Sequence, residues 1–319
     1  MDAEIGTDIT KSAELLKSGS VAAIPTETVY GLAANAYSEE AVAKIFEIKE
    51  RPFFDPLIVH IKPGDDPKNY VAYVPPIAIK LMERFWPGPL TIVLPKKDII
   101  PDITTAGQNT VGLRMPAHTL LQQLLSILPF PLAAPSANPF GYISPTSAQH
   151  VFDQLGDKIP YILDGGPCNV GLESTILGFE GDKPVLFRLG GLALEEIEQI
   201  TGPLKININQ SSNPSAPGQL KSHYAPKKQL IIGDIEDLIK ANPAKRISVI
   251  SFKQSYEAEN IIQSHVLSQE GNLSEAAVHL FKALREADDS EAEIILAEHF
   301  PETGLGRAIN DRLRRASFR

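Results

Sequence analysis

Two stretches, VAAIPTETVYGLAANA at Val21–Ala36 and KERPFFDPLIVH at Lys49–His60, decide how this chain reads. Val21–Ile24 is a short apolar run that predicts a strand, and it breaks at Pro25 into a loop bearing Thr26, Thr28 and Tyr30. Ser38 then suits a helix N-cap, with Glu39 and Glu40 in the first turn and an apolar stripe of Ala41, Val42, Ile45 and Phe46. The helix must stop before Pro52, so Lys49 and Arg51 fall at its C-terminal end. Leu57–Ile61 predicts the next strand, with His60 inside it. Strand, polar loop, helix and strand in this order is α/β texture. It sets hydroxyls, cations and an imidazole directly after buried runs, an arrangement suited to an anionic substrate.

The same alternation extends outward. A helix is expected around Lys11–Lys17, and strands at Leu90–Leu94, Thr110–Arg114, Pro131–Ala134, Tyr161–Asp164, Ser174–Phe179 and Pro184–Leu189. The segment NINQSSNPSAPGQLKSHYAP, Asn207–Pro226, is too rich in Ser, Asn and Pro to pack as a regular element and reads as a linker. Beyond it come strands at Gln229–Ile232 and Ile247–Phe252, a helix near Ile235–Lys240 and a helical stretch near Tyr256–Ser264. A short strand at His265–Leu267, a helix at Leu273–Ala287, a strand at Glu293–Ala297 and a final helix complete the chain. This order predicts a second, parallel sheet. The division is therefore 1–206 for a first α/β domain, 207–226 for the linker and 227–319 for a smaller one. The basic run within Asp311–Arg315 reads as a solvated last helical turn favoured by the dipole.

At 319 residues with 43% hydrophobic content, the chain can bury a sizeable core. Its 30 basic and 39 acidic residues give a net charge of -9, which argues against a broad nucleic-acid-coating face. The lone Cys168 excludes an internal disulfide and a multi-thiol metal site, and fits a reducing cytoplasm. The opening MDAEIGTDIT lacks a charged-then-apolar signal pattern, and no apolar run reaches bilayer length, so neither export nor a membrane anchor is expected.

Signatures of phosphate-loop, dinucleotide-binding, zinc-peptidase and serine-hydrolase chemistry are absent. Several other residues each carry two readings. Thr26 and Thr28 satisfy a turn or face a ligand; Lys49 and Arg51 are helix-end cations or anion ligands. Arg114, ending the run TVGLR, either grips a carboxylate bidentately or forms a structural ion pair. Ser144 before Pro145 is a good N-cap and first-turn pair, and such a helix start would also receive a phosphate. Ser136 and Asn138 have no simple local explanation, and Ser174 and Arg188 sit beside glycines that permit close ligand approach. Gly304–Ala308, GLGRA, carries part of a glycine fingerprint but suits a cap or close packing better.

Taken together, PTETVYGL, KERP with DPLIVH, FWPGPLTIVL, VGLRMP, APSAN with ISPTSA, DGG, GLESTI, FRLGG and APGQLKSHYAP occur in an order that closely resembles the YrdC-type threonylcarbamoyl-AMP synthases in their two-domain form. The resemblance covers nearly the whole chain. It implies a twisted α/β catalytic domain with an electropositive cleft, a Rossmann-like C-terminal domain, and synthesis of L-threonylcarbamoyl-AMP from L-threonine, bicarbonate and ATP. The product then serves threonylcarbamoyladenosine formation beside the anticodon of tRNAs, carried out by downstream transferase proteins. Weak tRNA contact and a cytoplasmic location are further expectations. By position, threonine contacts fall on Thr28, His60, Arg114, Ala134 and Ser174. ATP contacts fall on Lys49, Arg51, Asp55, Thr110, Ser136, Ser144, Arg188 and the linker's Tyr224, with Lys49 and Arg51 in the catalytic role. Magnesium is expected on ATP, without direct protein ligands. The family usually has Asn where this chain has Asp55, and His223 is left without a role. The linker is expected to fold over the nucleotide as a lid. Two other readings compete: an RNA- or ribosome-binding protein using the same cleft, and a carbamoyl-transfer enzyme with another acceptor, as in hydrogenase maturation.

Overall fold

A computed structural model describes residues 2–208, 216–218 and 220–318; the rest of the expected linker, Ser211 included, lies outside the described residues. Eleven short strands form one large mixed sheet. Its order is Glu4–Gly6, Tyr161–Leu163, Ala22–Ile24, Gly31–Asn35, Leu132–Ala133, Ile58–His60, Thr110–Arg114, Leu90–Pro95, Thr175–Glu180, Lys183–Arg188 and Lys205–Ile206. Several neighbours in this sheet are far apart in sequence, which draws several loop ends to one place. Ile58–His60 runs parallel to Thr110–Arg114 with His60 opposite Arg114, and on its other side His60 faces Leu132.

Local chemistry accounts for the elements. Ser38 caps the helix Glu39–Lys49 by accepting from the Ala41 amide at 3.2 Å, and Glu50 ends it in the left-handed conformation at φ 54°. That helix buries Ala41, Val42, Ile45 and Phe46, the stripe read from sequence, and Lys49 with them. Ser144 does not cap the following helix. Ser147 does, accepting from His150, and the helix is Ala148–Leu155. The cause lies in the sheet: Pro145 O accepts the Tyr30 amide at 2.9 Å, which holds the Ser144–Pro145 stretch extended against the first domain.

The second sheet has four strands, Gln229–Ile232, Ile294–Ala297, Ile247–Ser251 and Ile261–Val266, all parallel. The helical stretch expected near Tyr256–Ser264 is replaced by this last strand, because pairing with Ile247–Ser251 outweighs the local helical pattern. The basic run is also corrected. In the C-terminal helix Gly306–Ser317, Asp311, Arg312 and Arg315 are buried rather than solvated. Gly306 opens that helix where a Cβ would stand 2.0 Å from Pro301 O, so its glycine serves close packing. No described helix is long and apolar enough to cross a membrane.

Each sheet has its own core, and one further cluster spans both. Val29, Ile143 and Leu172 of the first pack in one cluster with Phe281, Leu284, Ile309 and Leu313 of the second. At the seam Gly171 has φ 76°, and a Cβ there would stand 2.4 Å from Val278 Cα and 2.5 Å from Ala277 O. Both neighbours are backbone and cannot swing aside. Gly171→Ala is therefore expected to cost about 2 kcal/mol or more, through positive φ and overpacking together. Gly181→Ala, at φ 61° with open space around it, should cost about 1 kcal/mol. Urea midpoints of the two variants check this, and equal midpoints would exclude the seam as a constraint.

Candidate active site

At the convergence of these loop ends lies a cavity with about 50 Å³ of open space. Residues named from the sequence line much of it: Thr28, His60, Arg114, Ala134, Ser174, Arg51, Ser136, Arg188 and Tyr224. Lys49, Asp55 and Ser144 stand one contact behind the wall. Thr110 is elsewhere, at the start of its strand, where it lines a separate apolar cavity with Tyr73, Phe179 and Phe187.

The double readings resolve in geometry. Thr26 Oγ1 accepts from the amides of Thr28 and Val29 and lies 2.7 Å from Val29 O, so its hydroxyl makes the turn. Thr28 faces inward and accepts from Arg114 Nη1 at 2.9 Å. Arg114 also donates to Glu27 Oε1 at 2.6 Å and Gly88 O at 3.2 Å. A guanidinium offers five N–H donors, so the structural ion pair leaves capacity for a ligand carboxylate. Glu27 is held in turn by the Ala117 amide at 3.1 Å. Nothing in the sequence reading singled out Glu27, because its purpose depends on a strand 87 residues away.

Lys49 Nζ donates to the carbonyls of Ser136, at 2.6 Å, and Asn138. Burial and the neighbouring Arg51 push its ammonium well below the ordinary lysine value. Arg51 pairs with Asp55 at 2.9 Å and donates to the Asp55 and Pro56 carbonyls. Burial raises the Asp55 carboxyl against the pull of Arg51, Lys49 and Arg188. The repulsion that a carboxylate here would exert on phosphates is thus met by Arg51. Arg188 donates to Ser174 O at 2.8 Å, Ser174 Oγ at 3.1 Å and Pro217 O at 3.0 Å. Asn138, by contrast, spends its amide on Pro139 O and Tyr142 O and shapes its own loop.

His60 has neither ring nitrogen hydrogen-bonded, although it is buried and lines the cavity. Burial and the adjacent Arg114 hold it down to about 3, so the imidazole is neutral. A buried ring without partners, facing open space, is placed to receive a polar group. The linker closes the cavity through Pro217, Gly218, His223 and Tyr224. Tyr224 adopts φ 63° and is buried between His223, at 4.2 Å, and Phe281, at 5.6 Å. Among the described residues no group of three or more His, Cys, Asp or Glu is placed to hold a metal. Cys168 is buried and its thiol is pushed up by burial, which removes it as a nucleophile.

Residues 14–190 match the Sua5/YciO/YrdC family model, described as telomere recombination, and residues 192–317 match the model for the threonylcarbamoyl-AMP synthase C-terminal domain. The chain is 42% identical to a threonylcarbamoyl-AMP synthase of Pyrococcus abyssi, covering 96% of this chain and 93% of that protein. It is 41% identical to one of Bacillus subtilis, covering 97% and 92%. The crystal structure of P. abyssi Sua5 complexed with L-threonine superposes with a TM-score of 0.91 at 42% identity, covering 97% of this chain and 94% of that one.

Three histidines, His60 and His223 buried and His150 half-buried, set a pH dependence. His60 is held to about 3 and His150 to about 4, and His223 lies well below its ordinary value, each first through burial. In the unfolded chain they take up protons below about 6.5. Their contribution to stability is therefore complete above that pH and is lost as pH falls from 6.5 towards the folded values. The urea midpoint should drop between pH 7 and pH 5, and His60→Gln should reduce that drop. A flat profile in the native protein would contradict the neutral burial.

Proposed function

The chain belongs to the Sua5/YrdC-type family of two-domain threonylcarbamoyl-AMP synthases, and from that membership we propose that it joins L-threonine, bicarbonate and ATP into L-threonylcarbamoyl-AMP and pyrophosphate. This is the first step of threonylcarbamoyladenosine modification of tRNA. The observation that carries the reading is the convergence of Thr28, His60, Arg114, Ala134 and Ser174 on a cavity that Arg51, Ser136 and Arg188 also line.

The amino-acid carboxylate takes the free N–H groups of Arg114, and the neutral His60 receives its hydroxyl or amine. The threonine nitrogen, unprotonated, forms a bond to the bicarbonate carbon as water leaves. A carbamate oxygen then attacks the α-phosphorus of ATP in line, and the bond to the β-phosphate oxygen breaks to release pyrophosphate. Both steps crowd anions, so the chemistry rests on fixed positive charge and positioning. Arg51 serves the triphosphate directly and Lys49 from behind the wall, the two sharing the catalytic role, with Ser136 and Arg188 as further nucleotide contacts, Ser144 held behind them on Glu173, and Asp55 as the holder of Arg51. Thr110, in its separate cavity, contributes to ATP only if the nucleotide reaches that side of the sheet. Among the described residues no group of three or more His, Cys, Asp or Glu is placed to hold a metal, and magnesium would arrive on the phosphates.

About 50 Å³ is far below the roughly 300–1,000 Å³ of ligand sites. On this reading ATP enters as Pro217, Gly218, His223 and Tyr224 move aside, and the proposed division is 1–206 for catalysis, 207–226 as linker and lid, and 227–319 as the lid's support. The product passes to downstream tRNA threonylcarbamoyl-transferase proteins, any tRNA contact being local and weak, in the cytoplasm. The decisive experiment is pyrophosphate release by purified protein with threonine and bicarbonate present together and each omitted in turn. Release should require both; ATP hydrolysis indifferent to threonine would sink the proposal. Lys49→Ala should lower turnover by about a hundredfold or more, whereas Cys168→Ala should retain most of it. Gly218 has φ 78°, and a Cβ there would stand 2.7 Å from Tyr224 Oη. Gly218→Ala should accordingly raise the KM for ATP by blocking closure, and an unchanged KM would exclude the lid.

A further inference from the structure

Among the described residues that line the cavity, Glu173 is the only carboxylate. A cavity receiving a triphosphate has little use for a bare negative charge in its wall, and Glu173 is buried, which makes an uncompensated charge costly as well. Its compensation comes from the other domain. Arg312, fully buried in the C-terminal helix, donates Nε to Glu173 Oε2 at 2.9 Å. The second carboxylate oxygen accepts from Ser144 Oγ at 2.5 Å. Arg312 also donates to Leu189 O at 2.9 Å, beside Arg188, and stacks over the Tyr224 ring at 5.0 Å. One guanidinium therefore touches the wall, the strand end and the lid without lining the cavity itself.

Resting on the functional reading above, we propose that Arg312 is a positioning residue for ATP: the C-terminal domain completes the active site by neutralising Glu173 and fixing Ser144. The rest of the helix serves the same arrangement. Asp311 Oδ2 accepts from Arg312 Nη1 at 3.0 Å and from Arg315 Nε at 2.9 Å, and Arg315 Nη1 donates to Leu220 O of the lid at 2.5 Å. A helix whose only task was to anchor the lid would not need to reach a carboxylate in the opposite wall. Removing one partner of a buried charge pair leaves the other uncompensated, and here the orphan would be an anion beside the phosphates.

The test is ATP affinity by calorimetry, with KM and kcat alongside, in four variants of the full chain. Arg312→Met should weaken ATP binding on the order of tenfold or more, with KM rising more than kcat falls. Adding Glu173→Gln to it should restore most of that affinity while leaving the loss of thermal stability in place, since the amide carries no charge to offset. Arg312→Lys should retain most of the affinity. Glu173→Gln alone should bind ATP at least as tightly as the native protein, and it keeps the proposal testable if Arg312→Met does not fold. An affinity loss in Arg312→Met that Glu173→Gln fails to relieve, or a tenfold loss in Glu173→Gln alone, would overturn the proposal and leave Arg312 as a domain fastener. Failure of the functional reading shows separately, as native protein that binds ATP but releases no threonine-dependent pyrophosphate.

Discussion

Lys49, Arg51, Arg114 and Arg188 are each at most 6% exposed, and all four surround or back a single cavity. Four like charges withdrawn from water are tolerable only if their donors are occupied and their fields offset. The fold meets both conditions with groups from distant elements. Carbonyls of Ser136, Asn138, Pro56, Gly88 and Ser174 accept from them, and Glu27 and Asp55 pair with two of them. The mixed order of the large sheet is what brings those carbonyls to one place. Much of the molecule can be read as the scaffold that keeps this cluster assembled when no anion is bound.

That arrangement also explains why the second domain is packed as it is. The cluster joining Val29, Ile143 and Leu172 to Phe281 and Ile309 makes the floor beneath the site common to both sheets. Arg285 of the long helix Leu273–Asp289 donates to Ile143 O and Ser144 O, and Lys228 donates to Ala287 O and Ser290 O at the end of that helix. Interfaces within a chain are commonly polar and permit relative motion. This one combines an apolar centre with buried charge pairs, which ties the two sheets together beneath the site.

The described linker residues are fixed by both domains. Pro217 O accepts from Arg188, and Tyr224 is held at a positive φ that a bulky residue adopts only when its surroundings fix it. Tyr224 is stabilised from the far side by Phe281 and Arg312, so its position is set by the C-terminal domain as much as by the linker.

How much of this was legible in the sequence depended on the range of the interaction. The helix Glu39–Lys49 was readable because its cap, stripe and stop lie together between Ser38 and Pro52, and Thr110–Arg114 because its apolar run is local. The order of motifs marked the cavity residues. Three readings failed where a distant partner outweighed local preference: Ser144, taken by Glu173 instead of a helix; Ile261–Val266, taken by a parallel strand; and Arg312 with Arg315, taken by a wall and a lid more than 90 residues away in sequence. Glu27, Glu173 and the occluded cavity were invisible for the same reason. The sequence by itself determined the α/β class, the family and many of the residues that line the cavity, since periodicity, turn chemistry and motif order are local properties of the chain. Only the tertiary structure decided which charge neutralises which, because burial removes water as the default partner and makes each pairing depend on whatever the fold carries alongside.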